Sequence, residues 1–141
     1  MIVLDTTILV YAVGDDHPLR DPCRRLLVAH GEKRVEATTT IEVIQEFTHV
    51  RARRRTRPDA VKIAREYVKA FNVVAPTTDD LDLGLSLFEQ HPALGAFDAV
   101  VAAVALNRRA DALVSADRAF ATVPNLPWVD PMTPDMQRLI D

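Results

Sequence analysis

Four carboxylates sit where separate elements of this chain are expected to meet: Asp5, Glu46 (with Glu42, one turn earlier, as its alternative), Asp98 and Asp117. Asp5 closes the apolar run Ile2-Val3-Leu4, and Glu46 falls inside a helical stretch over residues 40–53. Asp98 opens an alanine-rich run over residues 97–106, and Asp117 follows the strand-like Ala112-Leu113-Val114. In open α/β folds, ligands bind beyond the carboxyl ends of the strands. Asp5 and Asp117 both follow strands closely, so they are expected to share that crevice. Two unit charges about 5 Å apart repel by roughly 3 kcal/mol at an effective dielectric of about 20. A set of such groups therefore needs a counter-charge, and an all-oxygen set suits a hard divalent cation, Mg²⁺ or Mn²⁺. The chemistry implied is metal-dependent hydrolysis of a phosphoester.

The elements that must position these acids follow from apolar periodicity. Ile2–Leu4 is short and continuously apolar, the pattern of a strand buried on both faces. Helical patterns follow over residues 7–13 and 19–30, the second ending at Gly31. Residues 35–37 read as a weak second strand. Thr38-Thr39-Thr40 supplies cap hydroxyls for the helix that carries Ile41, Ile44, Phe47 and Val50. Pro58 starts another helix, with Val61, Ala64, Val68 and Phe71 on one face. Residues 72–75 are expected as a third strand, and Thr77-Thr78-Asp79-Asp80 caps a helix bearing Leu81, Leu85 and Phe88 on one side. Residues 97–106 are apolar nearly all round and so form a central buried helix. Residues 112–114 give the fourth strand and 128–129 a fifth. Strands alternating with helices predict an α/β fold, a parallel four- to five-stranded sheet with helices on both faces.

A chain of 141 residues suits a single domain, 1–141. Cys23 is the only cysteine, which excludes an intramolecular disulfide and a multi-thiolate metal site. No leader peptide or membrane-length apolar run is evident, so a cytoplasmic protein without membrane contact is expected. The net charge of −3 excludes a uniformly basic nucleic-acid coat. Its distribution is uneven, however: Arg51, Arg53, Arg54, Arg55 and Arg57 crowd into one segment. That cluster is either a solvated helix end favoured by the helix dipole or a surface for RNA phosphates.

Three segments carry a family resemblance: Val3-Leu4-Asp5-Thr6; His91-Pro92-Ala93-Leu94-Gly95-Ala96-Phe97-Asp98-Ala99; and Ala112-Leu113-Val114-Ser115-Ala116-Asp117-Arg118-Ala119-Phe120. In order and spacing they resemble the PIN-domain family, and within it the VapC-type toxin ribonucleases of bacterial toxin–antitoxin pairs. The resemblance implies a PIN-like three-layer sandwich and Mg²⁺- or Mn²⁺-dependent endoribonuclease activity on RNA. It also implies a cognate VapB-type antitoxin and a homodimer. It selects Glu46 over Glu42, because Ile44-Gln45-Glu46-Phe47-Thr48 is similar to the family's glutamate-then-apolar pattern. Asp5, Glu46, Asp98 and Asp117 become the implied metal and catalytic acids, and Ser115 the implied support for the water. The chain departs from the family at Thr7, where Asn or Ser is common, and at Ala119, where many members carry another acid.

The remaining candidates have plainer readings. Asp98 alone would read as a helix cap or first-turn acid. Asp79 and Asp80 read as first-turn helix charges. His49 lies three residues after Glu46, but a single such pair is too few for a di-metal bundle site, so it reads as a surface or packing residue. Cys23 reads as a small core residue. Two other functions stay in view: an aspartyl-phosphate phosphatase or receiver with Asp5 as nucleophile, and a non-catalytic PIN-like binding module. The first needs a lysine after a late strand, whereas the lysines are Lys33, Lys62 and Lys69.

Overall fold

Strands Ile2–Leu4 (β1), Ala37–Thr38 (β2), Ala112–Val114 (β3) and Trp128–Val129 (β4) form one sheet in the order β2-β1-β3-β4 in a computed structural model that describes residues 1–141. Every pairing is parallel. The chain leaves β1 toward one edge to make β2, then crosses back over β1 to lay down β3 and β4 on the other side. The strand order therefore reverses between β1 and β3, and a crevice opens at the carboxyl ends of these two strands. Side chains in a strand alternate between faces. All three residues of β1 and all three of β3 are buried, so both faces of the sheet are covered.

The cover is helical: Thr6–Ala12 (α1), Arg20–Gly31 (α2), Ile41–Arg54 (α3), Arg57–Ala70 (α4), Thr78–Gln90 (α5), Ala96–Asn107 (α6) and Pro134–Ile140 (α7). A 3₁₀ turn spans Arg118–Thr122. Asp5, Thr40, Thr56 and Thr77 cap α1, α3, α4 and α5 through their side chains, satisfying backbone N–H groups at each helix start. The three threonines before α3 have separate tasks. Thr38 donates to the Asn72 carbonyl at 2.5 Å, Thr39 to the Leu4 carbonyl at 2.8 Å, and Thr40 caps the helix. The alanine-rich α6 is buried along most of its length, as its all-round apolarity predicts. Its close neighbour is α5. A Cβ added at Gly84 would lie 2.9 Å from Val100 Cγ2 and 3.1 Å from Val100 Cα, so the missing side chain is what lets α5 approach α6.

Three features differ from the sequence reading. Residues 72–75 do not form a strand: only Val74 bridges to Thr40, and Pro76 prevents the ladder from continuing. The second strand begins two residues later than expected, at Ala37, because Ile2 N–H pairs with the Glu36 carbonyl and sets the register there. The apolar stripes of α4 and α5 are only partly turned to the core. Ala60, Ala64 and Tyr67 are buried in α4, while Val61 and Val68 are exposed. In α5, Asp80, Gly84 and Leu87 face inward, and Leu81, Leu85 and Phe88 face solvent beside the exposed Phe97. Asp80 wins its inward place over the leucines because it completes a capping box with Thr77 and accepts from Asn107 and Arg108 at the end of α6. No helix is long and apolar enough to cross a membrane.

Candidate active site

The register between β1 and β3 builds the centre of the site. Leu4 pairs with Val114, so the next residues, Asp5 and Ser115, emerge side by side at the switch point. Asp5 is 3% exposed, and its Oδ2 accepts from Ser115 Oγ at 2.7 Å and from Thr7 Oγ1 at 3.1 Å. With a longer contact from Thr7 N–H at 3.5 Å, these donors all fall on Oδ2 and leave Oδ1 out of the network. Burial raises the Asp5 carboxyl above its usual range, against the lowering effect of the hydrogen bonds from Ser115, Thr6 and Thr7.

Two further hydroxyl links extend the frame. Ser115 Oγ accepts from Asp117 N–H at 2.9 Å, and Thr7 Oγ1 accepts from Ala116 N–H at 3.0 Å. Thr6 Oγ1 donates to Glu46 Oε2 at 2.8 Å, tying α1 to α3. The Trp128 indole N–H donates to the Ser115 carbonyl at 3.0 Å, so β4 steadies the β3 end of the site. Ser115 is wholly buried. Its hydroxyl therefore orients Asp5 and the backbone of Asp117 and does not itself face solvent.

Asp98 enters from α6. Gly95, not Asp98, is the N-cap of that helix, and Asp98 sits in its first turn without making a capping bond. Burial first, and then the charges of Asp5, Glu46 and Asp117, push its carboxyl up to about 7 from an ordinary 3.8. The other three acids proposed from sequence thus all act on Asp98 in the folded chain. Glu42 is not part of that electrostatic set and instead lines a groove with Thr40, Leu81 and Phe97. Asp117 is exposed and caps the following 3₁₀ turn through Ala119 N–H at 2.9 Å. None of the four acids has a basic partner in an ion pair.

The donor set suits a hard divalent cation: oxygens only, with uncompensated negative charge. No three acidic, histidine or cysteine side chains are drawn together as a ready-made cage. Mg²⁺ does not need one, because it keeps several waters and takes only one or two carboxylates directly. Asp5 is ill placed as a phosphate-accepting nucleophile, since it is buried and no lysine or arginine pairs with it.

The arginine cluster divides. Arg51 Nε pairs with Asp59 at 2.6 Å, and its Nη1 donates to the Val13 carbonyl at 2.9 Å, which makes it a tie between α1, α3 and α4. Arg55 pairs with Asp15 at 2.5 Å. Arg53, Arg54 and Arg57 are exposed and have no ion pair. The sequence reading did not single out Thr6 or Trp128 as supports of the site. The pair of hydroxyls directly after a strand-end Asp was the available signal for Thr6; for Trp128 there was none.

Comparison with known proteins bears on the family and the fold. The PIN domain family model matches residues 2–126. The chain is 52% identical to Ribonuclease VapC7 of Mycobacterium tuberculosis over 142 aligned positions, covering 99% of this chain and 98% of that protein. It is 31% identical to Ribonuclease VapC23 of the same species, covering 86% and 97% respectively. Among solved structures, its fold is similar to VapBC2 from Rickettsia felis bound to a promoter DNA fragment, with a TM-score of 0.72 at 20% identity over 92% of this chain and 98% of that one. It is also similar to a toxin–antitoxin complex from Klebsiella pneumoniae, with a TM-score of 0.69 at 19% identity over 93% and 98%.

Proposed function

The chain belongs to the PIN-domain family, and from that premise we propose that it is the toxin of a toxin–antitoxin pair, an endoribonuclease that hydrolyses RNA phosphodiesters with water. The observation that carries the reading is that Asp5, Glu46 and Asp117 all bear electrostatically on Asp98 beside the end of β1, and that none of the four has a basic partner. Near-full-length identity to proteins named ribonucleases supports the activity. The fold's likeness to toxins solved with their antitoxins supports a VapB-type protein partner.

Nucleases of this kind are generally metal-dependent, and for this chain the ion is Mg²⁺ or Mn²⁺. Asp5, Asp98 and Asp117 would hold it, with Glu46, one or two of these acids directly and the others through water. When bound, such an ion lowers the pKa of a coordinated water and neutralises charge on the phosphoryl oxygens. The chain's own groups do the rest. Thr7 and Ser115 fix one oxygen of Asp5, which leaves the other directed by the strand register. Glu46 is exposed and held by Thr6 through Oε2, so Oε1 is free to take the proton of the attacking water. Arg53 and Arg57, exposed and without an ion pair on the groove between α3 and α4, are the basic groups free to meet phosphates.

The exposed Leu81, Leu85, Phe88 and Phe97 form an apolar face suited to a second copy of the chain, and we assign the homodimer contact there. The unit of function is the single domain 1–141, working in the cytoplasm, where RNA and the antitoxin are found. The test is expression of the wild type and of Asp98→Asn, followed by mapping of cellular RNA ends. New ends only with the wild type are expected. Identical end profiles from the two would reject the reading.

A further inference from the structure

The exposed surface of α3 changes sign along its length. An α-helix advances about 1.5 Å and roughly 100° per residue. His49 therefore lies about 4.5 Å beyond Glu46 along the axis and about 60° round it toward α4, and Arg53 about 10 Å beyond it and about 20° round in the same sense. Arg54 is rotated by about 80° from Glu46 in the opposite sense, and it lines a different crevice with Gly14 and Asp15. His49, Arg53 and Arg57 line one edge of the groove between α3 and α4. Past Arg57, the exposed cations Lys62, Arg65 and Lys69 continue along α4, three and four residues apart and so on one face, with Glu66 the one acid among them. None of these groups has an ion pair.

A pocket of carboxylates repels a polyanion, so an RNA strand entering it must be held by cations nearby. The distance from Glu46 to Arg53 corresponds to one or two nucleotides. Resting on the ribonuclease reading above, we infer that His49 and Arg53, continued by Arg57 and the basic face of α4, form a track for the RNA phosphates flanking the scissile bond. Arg51, Arg54 and Arg55 lie outside it. His49 is the positioning residue next to the chemistry, donating to the first flanking phosphate. The groove is lined by Ile44, Ala52, Val61 and Val68 and by no Phe, Tyr or Trp. The track therefore reads backbone and not base faces, which would need stacking platforms.

The test uses the full-length chain with Asp98→Asn, so that a short fluorescent single-stranded RNA of mixed sequence survives in Mn²⁺. Anisotropy is read from ~50 to ~200 mM salt, where each lost phosphate contact flattens the log–log slope by roughly 0.7. Arg53→Ala is expected to flatten the slope by that amount and weaken binding several-fold, while Arg54→Ala leaves both unchanged. In the cleaving enzyme, His49→Ala is expected to raise KM several-fold, and His49→Gln, which keeps a donor, to restore most of it. Equal effects of Arg53→Ala and Arg54→Ala, or an unchanged slope in Arg53→Ala, would overturn the track. Loss of antitoxin binding in Arg53→Ala with the RNA slope intact would also overturn it and make the rim a protein-docking edge. A wild type that cuts no RNA, with the slope difference present, would count against the nuclease reading alone.

Discussion

Thr6 and Glu46 are forty residues apart and joined by a hydrogen bond of 2.8 Å from hydroxyl to carboxylate. Thr6 belongs to the first turn after β1, so the bond fixes the one helix-borne glutamate of the site to the same strand end that presents Asp5. The acid supplied by α3 is thereby held relative to the acid supplied by the sheet. Groups that orient the acids of a metal site commonly matter by about 10- to 100-fold in affinity or activity.

Thr6→Val should therefore lower the cleavage rate by about 10- to 100-fold at fixed Mn²⁺, and Thr6→Ser should restore most of it. Steady-state kinetics on a labelled RNA checks this. A Thr6→Val enzyme with wild-type rate would show that Glu46 needs no such support.

The two glutamates of α3 should separate cleanly. Glu46→Gln removes an acid that acts on Asp98, whereas Glu42 lines the groove near Phe97. Glu46→Gln is expected to cut activity by on the order of 10² or more, as loss of an acid–base group does, and Glu42→Gln to leave it within a few-fold. The reverse ranking would shift the site by one turn of α3.

Without divalent metal, stability should fall as pH rises through the range set by Asp98. Its carboxyl titrates near 3.8 when unfolded and is pushed up to about 7 in the fold by burial and by Asp5, Glu46 and Asp117. Between those values the folded chain holds a proton that the unfolded chain has released, so rising pH favours unfolding. The penalty is absent below the lower value and complete above the upper one. In EDTA, Asp98→Asn should melt above the wild type at pH 8, and the difference should shrink toward pH 4. Added Mn²⁺ should raise the wild-type Tm, by ~2.7 kcal/mol of stabilisation at about a hundred times its Kd, and Asp98→Asn much less. Thermal melts across pH decide it; a wild type that gains stability with pH in EDTA would contradict the assigned electrostatics.

Asp80 carries a structural prediction. It is 2% exposed and joins Thr77, Asn107 and Arg108. Asp80→Ala removes the buried acceptor of the capping box and of Asn107, leaving a partly exposed Arg108 unpaired, and should cost about 1–3 kcal/mol in chemical denaturation. The surviving folded molecules should keep their metal response. A loss under about 1 kcal/mol would place this pair among surface bridges of little worth.

The acids at strand ends were legible because position after an apolar run is a local signal, and the chain order of β1 and β3 does not alter it. The parallel sheet and the buried α6 were legible for the same reason, from short apolar runs and all-round apolarity. Residues 72–75 misled because β-branched residues before a proline resemble a strand, while actual pairing depends on a neighbour elsewhere in the chain. Asp80 was read only as a first-turn helix charge because its partners, Asn107 and Arg108, lie at the end of another helix. The arginine cluster was legible only as a cluster. Its division into tied and free members depends on Asp15, Asp59 and the Val13 carbonyl, which the fold brings in from other segments.

The most direct measurement is the single-turnover cleavage rate of a labelled RNA against Mn²⁺ concentration, for the wild type and Asp98→Asn, with folding of both verified by circular dichroism. The wild type should show a rate that is absent in EDTA and saturates with Mn²⁺, and Asp98→Asn should fall by on the order of 10²–10⁴ at the same Mn²⁺. A wild-type rate that persists in EDTA, or a folded Asp98→Asn that cleaves as fast as the wild type, would contradict hydrolysis at the Asp5–Glu46–Asp98–Asp117 site.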